Sequence, residues 1–416
     1  MPSGRFEWLA DGRDVILCAL AAGIGLIALQ PSGSPLLLIL LALFWGHAST
    51  RASAFFVGFA FCFSSAASLP TALSNFFPNL SPLLATSTWI AYASVGAAAF
   101  AACWVAPKAG LTRRLISGVI LLTVLAVPPV GAVFWGHPVL AAAEFFPGMG
   151  LAGIALTVVL WSLLGSLRFP PTSTGSPVVM IPTGSSDVAA WLIGISVVSA
   201  VVRFQVDVAG GEHATPHTIS STLGADFNLG RTSTNQVAQY RYLADEVLPT
   251  IKSMSPPAGA VVLLPESIAG VNTSARLQWW RGELDEFFSQ NGTLVVGEYD
   301  EHGKGMAVIS KTGYRYYPAR QSTPLAEWTL EGSYQAFGMW SNVAILRTGS
   351  RYALVNCYEA LTVWPLLLDL AKSPDAILFG SNQFWAKGTR APDAMSSAMQ
   401  SWAKIAGVPL VSAVNR

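Results

Sequence analysis

The sequence predicts two architectures in tandem: a multi-span α-helical membrane domain over residues 1–203, then a layered α/β domain over 204–416. Three observations point there. The 416 residues are 52% hydrophobic and only 11% charged, against roughly 25% charged in an average soluble domain. Residues 1–203 hold just 8 of the 24 basic and 5 of the 23 acidic side chains. Apolar runs of near-spanning length recur in that half, while the other alternates strand and helix signals. Such a composition excludes a disordered chain and argues against a wholly soluble one. The net charge of +1 supplies no field for holding nucleic acid or anionic lipid, so no direct nucleic-acid partner is expected.

In the first half the apolar runs fall at about 15–30, 34–48, 53–73, 83–106, 115–135, 145–166 and 188–202. They predict seven spans, some shorter than the ~20 residues that a ~30 Å hydrocarbon core asks for. Arg5, Arg13, Arg51, Lys108, Arg113, Arg114 and Arg168 all lie in alternate connections. The other connections, around Gln30–Ser34, Ser74–Pro82 and Trp135–Glu144, carry no Lys or Arg. This is the positive-inside pattern. It predicts a multi-pass protein of the inner (cytoplasmic) membrane with a cytoplasmic N-terminus and a periplasmic C-terminal domain. The first run is expected to stay uncleaved, because no small-residue cleavage site follows it. Phe169–Ser186, rich in Pro, Ser, Thr and Gly, reads as a cytoplasmic connector. Small residues at Ser64–Ser68 and Ala97–Ala102 predict close helix packing. No run carries an acidic residue or a lysine at its middle, which disfavours an ion relay and hence transport.

The second half reads element by element. A helical period over 234–254 ends at Pro256-Pro257-Ala258-Gly259. A buried strand, Ala260–Leu264, stops at Pro265-Glu266, and a helix capped by Asn272 or Thr273 runs to about 290. Thr293–Gly297 is the next strand, and Gly305–Ser310 with Tyr314–Tyr317 forms a hairpin across Lys311-Thr312-Gly313. Strands at Val343–Leu346, Tyr352–Asn356, Ala376–Phe379 and Pro409–Ala413 alternate with helices at about 360–372 and 391–405. Such alternation is α/β architecture, which places its chemistry at the carboxyl ends of strands.

Several familiar sites are missing. There is no G-x-S-x-G sequence, and Gly303-Lys304-Gly305 lacks the spacing and the Ser/Thr of a phosphate-binding loop. Glu212, His213 and His217 read as a solvated loop leaving the membrane, because Pro216 disrupts a helix that would align the two histidines, so neither metal nor cofactor is expected. Cys18, Cys62 and Cys103 lie in apolar runs, leaving Cys357 as the lone cysteine of the second half and a candidate nucleophile.

Three segments remain: Val262-Leu263-Leu264-Pro265-Glu266-Ser267, Pro324-Leu325-Ala326-Glu327-Trp328, and Val355-Asn356-Cys357-Tyr358-Glu359. In this order and at these intervals they resemble the carbon–nitrogen hydrolase (nitrilase) superfamily, in particular its membrane-bound branch of apolipoprotein N-acyltransferases. Ser381-Asn382-Gln383-Phe384-Trp385 is similar to that family's segment after the nucleophile helix. Within the branch, the arrangement is most similar to relatives that assist plasmid conjugal transfer.

The resemblance implies an αββα sandwich and acyl transfer through a thioester on Cys357, with Glu266 as base and Glu327 and Glu359 orienting the leaving or accepting group. It implies a phospholipid or other acyl or amide substrate, and conjugation or envelope proteins as partners. A thiol of pKa near 8.5 needs such a base or a nearby cation, and a cysteine so poised is expected to outreact a free thiol. One departure stands out. The family lysine, five positions before the Pro-x-x-Glu segment, falls here on Ala319, which leaves Arg320, one residue on, as the candidate cation. The final membrane span of the acyltransferase is expected to be missing. Trp279, Trp280, Trp328, Trp340, Trp364 and Trp385 either border an acyl-chain cleft or belong to the core and interfacial belt. The alternative function is a non-catalytic envelope scaffold of the conjugation machinery that retains the fold.

Overall fold

The computed structural model describes residues 12–106, 108–167, 221–230, 235–300, 303–324, 327, 337–346 and 349–416. These divide into two compact units, one of residues 12–70 and 81–167, the other of 71–80 and 221–416. The predicted boundary at 203, the run 188–202, the connector Phe169–Ser186, and Glu212, His213 and His217 lie outside the described residues.

The first unit is helical, and helices occupy six of the seven predicted runs: Gly12–Ile27, Pro35–His47, Arg51–Ser65 followed by Leu69–Phe76, whose residues from 71 on belong to the second unit, Pro82–Cys103, Leu111–Ala126 and Gly150–Ser166. Thr50 and Ser81 cap two of them through side-chain oxygens that accept from Ser53 N and Leu84 N. Small residues set helix contacts. A Cβ on Gly25 would collide with the Ser64 hydroxyl, in the first of the two expected stretches, and outside both, one on Gly46 would collide with the Gly165 carbonyl oxygen. Among the described residues one helix, Pro82–Cys103, is long and apolar enough to cross a membrane, or three if two bent helix pairs each count as one span.

The second unit contains two sheets. One has the order β1 (Thr222–Gly224), β2 (Val261–Leu263), β3 (Thr293–Asp300), β4 (Gly303–Ile309), β5 (Tyr314–Pro318), parallel through β3 and antiparallel after it. The other runs β6 (Val343–Ile345), β7 (Arg351–Asn356), β8 (Ala376–Asn382), β9 (Leu410–Asn415), parallel from β7 onward. Alternation along the strands builds the layers. Val261, Leu263, Val295 and Met306 pack with Tyr352, Leu354, Leu378 and Ala413 of the other sheet. Val262, Leu264, Leu294 and Val296 face the opposite way, onto Leu243, Val247, Trp280 and Phe288 of the helices. The helix Ala391–Ala406 buries Met395, Met399 and Trp402 and contacts β8 and β9. Each predicted strand is present; β1 is additional.

Candidate active site

Two chain reversals at strand ends make the site. After β2 the chain turns through Pro265-Glu266-Ser267, with Ser267 at φ +61, a left-handed conformation that only a tightly held non-glycine residue keeps. Its neighbour on β3 has to be glycine: a Cβ on Gly297 would lie 2.3 Å from Ser267 N and 2.4 Å from Glu266 Cα. Gly297 N also donates to the Pro265 carbonyl, 3.2 Å away. After β7 the chain enters a short 3₁₀ turn, Cys357–Leu361, closed by the Glu359 carboxylate, which accepts from the Asn356 backbone N–H at 3.0 Å.

These turns bring Cys357 and Glu266 together. The thiol donates to the Asn382 carbonyl at 3.6 Å and accepts from the Ser381 hydroxyl at 3.4 Å, and it lies near enough to Glu266 for each group to act on the other's charge. Asn382 acts on the Glu266 carboxylate as well, so the segment Ser381-Asn382 meets both residues. Lys304 of β4 puts its Nζ 3.5 Å from Glu266 Oε1 and makes a closer ion pair with Glu327, whose other oxygen accepts from Thr323 N at 2.8 Å.

Burial dominates the protonation of this cluster. It pushes the Glu266 carboxyl above its ordinary value; Lys304 opposes this and the Glu327 charge adds to it. Burial would lower Lys304, but Glu266, Glu327 and Tyr299 hold it well above the usual ammonium range. Burial and the Glu266 charge push the Cys357 thiol up, against the pull of Lys304. Burial and Glu266 thus both favour the neutral thiol over the thiolate, beside a carboxyl whose proton affinity burial raises; in such a pair the nucleophile forms by proton transfer to the carboxylate.

Two of the expected site residues have other roles. Arg320 is fully buried, and a guanidinium has five N–H donors. Nε donates to Glu359 (3.1 Å), Nη1 to Asp369 (2.7 Å) and the Pro365 carbonyl (2.9 Å), and Nη2 to Glu359 (3.0 Å) and the Leu354 carbonyl (3.4 Å). No donor is left for an oxyanion. Glu359, also fully buried, accepts from Asn356 N, Arg320 and Gln321 N, so it braces the nucleophile turn instead of orienting substrate. Trp280 and Trp364 are core residues, the latter tied by its indole to the Gly338 carbonyl at 3.0 Å. Trp328 lies outside the described residues. Among the described residues no group of His, Cys, Asp or Glu could hold a metal ion.

Lys304 was missed by counting along the chain, yet the hairpin contains it. Gly305 pairs with Pro318, and one step further Ala319 N donates to the Lys304 carbonyl at 2.8 Å. Ala319, where the family interval puts a lysine, is therefore the cross-strand neighbour of Lys304. A second missed residue is Tyr299, which pairs with Lys304 across β3 and β4.

Comparison with known proteins gives two relatives along nearly the whole length. The chain is 26% identical to a conjugal transfer protein TraB of Agrobacterium fabrum, over 99% of this chain and 96% of that protein. It is 27% identical to a probable conjugal transfer protein TraB of Sinorhizobium fredii, over 89% of this chain and 90% of the relative. No family model matches the chain. Among solved structures, a mutant of a nitrilase-superfamily amidase from Nesterenkonia AN1 aligns with 46% of this chain and 75% of its own, at 12% identity and a TM-score of 0.31. An amidase from Nesterenkonia sp. aligns with 46% of this chain and 74% of its own, at 13% identity and a TM-score of 0.30.

Proposed function

We propose that this chain is a membrane-anchored acyltransferase or amidohydrolase that works through a thioester on Cys357 and serves plasmid conjugal transfer from the periplasmic side of the inner membrane. One observation carries the chemistry: the Cys357 thiol feels the charges of both Glu266 and Lys304, and the carboxylate lies 3.5 Å from the ammonium. The sulfur attacks the acyl carbon as its proton passes to Glu266. The tetrahedral oxyanion is met by Lys304, a contribution of about 3–4 kcal/mol for one such donor. Collapse expels the alkoxide or amine, which takes the proton back from Glu266 and leaves the thioester. Water or an amine then gives its proton to Glu266, attacks the thioester, and releases the sulfur, which recovers the proton. Glu327, ion-paired to Lys304, steadies the ammonium between the two carboxylates.

The membrane anchorage is supported by the apolar runs and the one-sided basic loops, the role in conjugation by the two end-to-end relatives. A phospholipid or other acyl or amide donor suits this chemistry, with conjugation or envelope proteins as partners. The scaffold alternative draws on the burial of the thiol, which is 4% exposed. Trapping the acyl-enzyme separates the two. An alkyl fluorophosphonate should label the full-length protein in membranes; Cys357→Ser should abolish labelling, and Glu266→Gln should slow it by about 10²–10⁴. An unlabelled wild type, together with normal plasmid transfer by Cys357→Ala, would leave the scaffold.

A further inference from the structure

We infer that Tyr299 is a positioning residue for Lys304: its ring, directly across the β3–β4 ladder, holds the lysine stem and ammonium against the Glu266–Cys357 pair. The inference rests on the site reading above but not on any particular substrate. On its own strand and face Lys304 has Met306 as a neighbour, two residues on, and its four-carbon stem is flexible by nature. A neighbour across the ladder confines it further. Tyr299 is its register partner, and residues opposite each other in an antiparallel pair point to the same side of the sheet. That side is the inter-sheet one: along β3 and β4, Val295 and Met306 face it, sharing parity with Tyr299 and Lys304, whereas Leu294, Val296 and Ala307 face the helices.

The geometry completes the contact. Lys304 Nζ is 5.8 Å from the centre of the Tyr299 ring, within the range over which a ring face attracts a cation. The ring cannot swing away with its strand, because the chain that follows the Glu266 turn clamps it from the other edge. Tyr299 N donates to the Gly270 carbonyl at 2.8 Å, and Asn272 N donates to the Tyr299 carbonyl at 2.7 Å. Lys304, Ser267, Glu266 and Glu327 act on the Tyr299 phenol, and Tyr242 is near enough to feel it. Burial and the two carboxylates keep the phenol protonated, against the opposing pull of Lys304 and Ser267. The residue therefore acts as a neutral wall beneath a fixed charge.

Alkylation of Cys357 by iodoacetamide, followed from pH 7 to 10 on the full chain in detergent with the other cysteines counted by mass spectrometry, reads the ammonium without needing a substrate. Lys304 pulls the thiol down, so an ammonium that drifts off moves the rise in rate to higher pH. Tyr299→Leu should slow alkylation at pH 8 by about three- to tenfold, the range of a desolvated cation–π contact. Tyr299→Phe, which keeps the ring, should stay within about twofold of the native rate on the same grounds. Lys304→Met should slow it at least as much as Tyr299→Leu, and the double variant should be no slower than Lys304→Met, because Tyr299 works through the lysine. A native rate in Tyr299→Leu, an equal loss in Tyr299→Phe, or additive losses in the double variant would each overturn the inference. Tyr299→Ile, a strand former, replaces Tyr299→Leu if the latter fails to fold. These rates are independent of fluorophosphonate labelling, so loss of the acyl-transfer reading and loss of this one are separate results.

Discussion

A guanidinium with all its donors taken inside the protein holds structure together instead of doing chemistry, and Arg320 is such a group. It binds Glu359 of the nucleophile turn, Asp369 of the helix Trp364–Leu370 and two backbone carbonyls. Asp369 also accepts from Asn342 N at 2.8 Å. Removing one partner of a buried pair strands the charge of the others, at a cost of about 3–5 kcal/mol. Arg320→Ala should therefore lower the unfolding free energy by that much, read as a lower denaturant midpoint at unchanged slope, and Arg320→Lys, with three donors on a flexible stem, should recover only part of it. A midpoint unchanged in Arg320→Ala would show that Glu359 and Asp369 find other partners. Arg320 could not be assigned from the chain alone. Its number lay one position from an expected lysine, but whether a buried cation faces a thiol or two carboxylates depends on residues such as Asp369, far along the sequence.

At the scale of elements, the reading succeeded where one period governed and failed where two strands had to be set against each other. Buried runs and alternation located β2 to β9, and the three segments that resemble the nitrilase superfamily named Glu266, Glu327 and Cys357, which the fold brings into one cluster. β1 escaped because it is three residues long, half-buried, and paired only through its neighbour β2. Lys304 escaped because an interval counts along one strand, whereas the hairpin sets Lys304 opposite Ala319. Side chains at opposed positions start about 5 Å apart on the same face, so a lysine from either strand reaches the same carboxylates. Lys304→Ala should reduce fluorophosphonate labelling by about 10²–10³. Adding Ala319→Lys to that variant should return at least a tenth of what was lost, and no return would mean that the ammonium is bound to its own strand.

For the whole molecule, a contrast in charge density between the two halves was legible in the sequence, and the helices of the first unit fall on the apolar runs. Their lengths were not legible. Hydropathy carries a run through Val127-Pro128-Pro129, but proline lacks the donor a helix needs, and the helix ends at Ala126. That helix has 16 residues, and three others have 15–17, short of the ~20 that span without tilt or thinning. Orientation is better tested by charge. Alkaline phosphatase, active only outside the cytoplasmic membrane, should work when fused after Val208 and fail when fused after Arg168, because the basic loops stay inside. The reverse pair of results would put Cys357 in the cytoplasm and exclude a periplasmic substrate.

The rung that joins Lys304 to Ala319 has one more consequence, for how such sites are inherited. A functional atom has an address in the chain and a place in space, and an antiparallel ladder lets the first change while the second is kept. Two ordinary substitutions, one gaining a lysine and one losing it across a single rung, pass through an intermediate that carries both. The ammonium is present at every step, so a lineage can make the exchange without an inactive ancestor. Descendants would then look disarmed to anyone comparing spacings, and a census of working and defunct copies should be taken by rungs of the sheet.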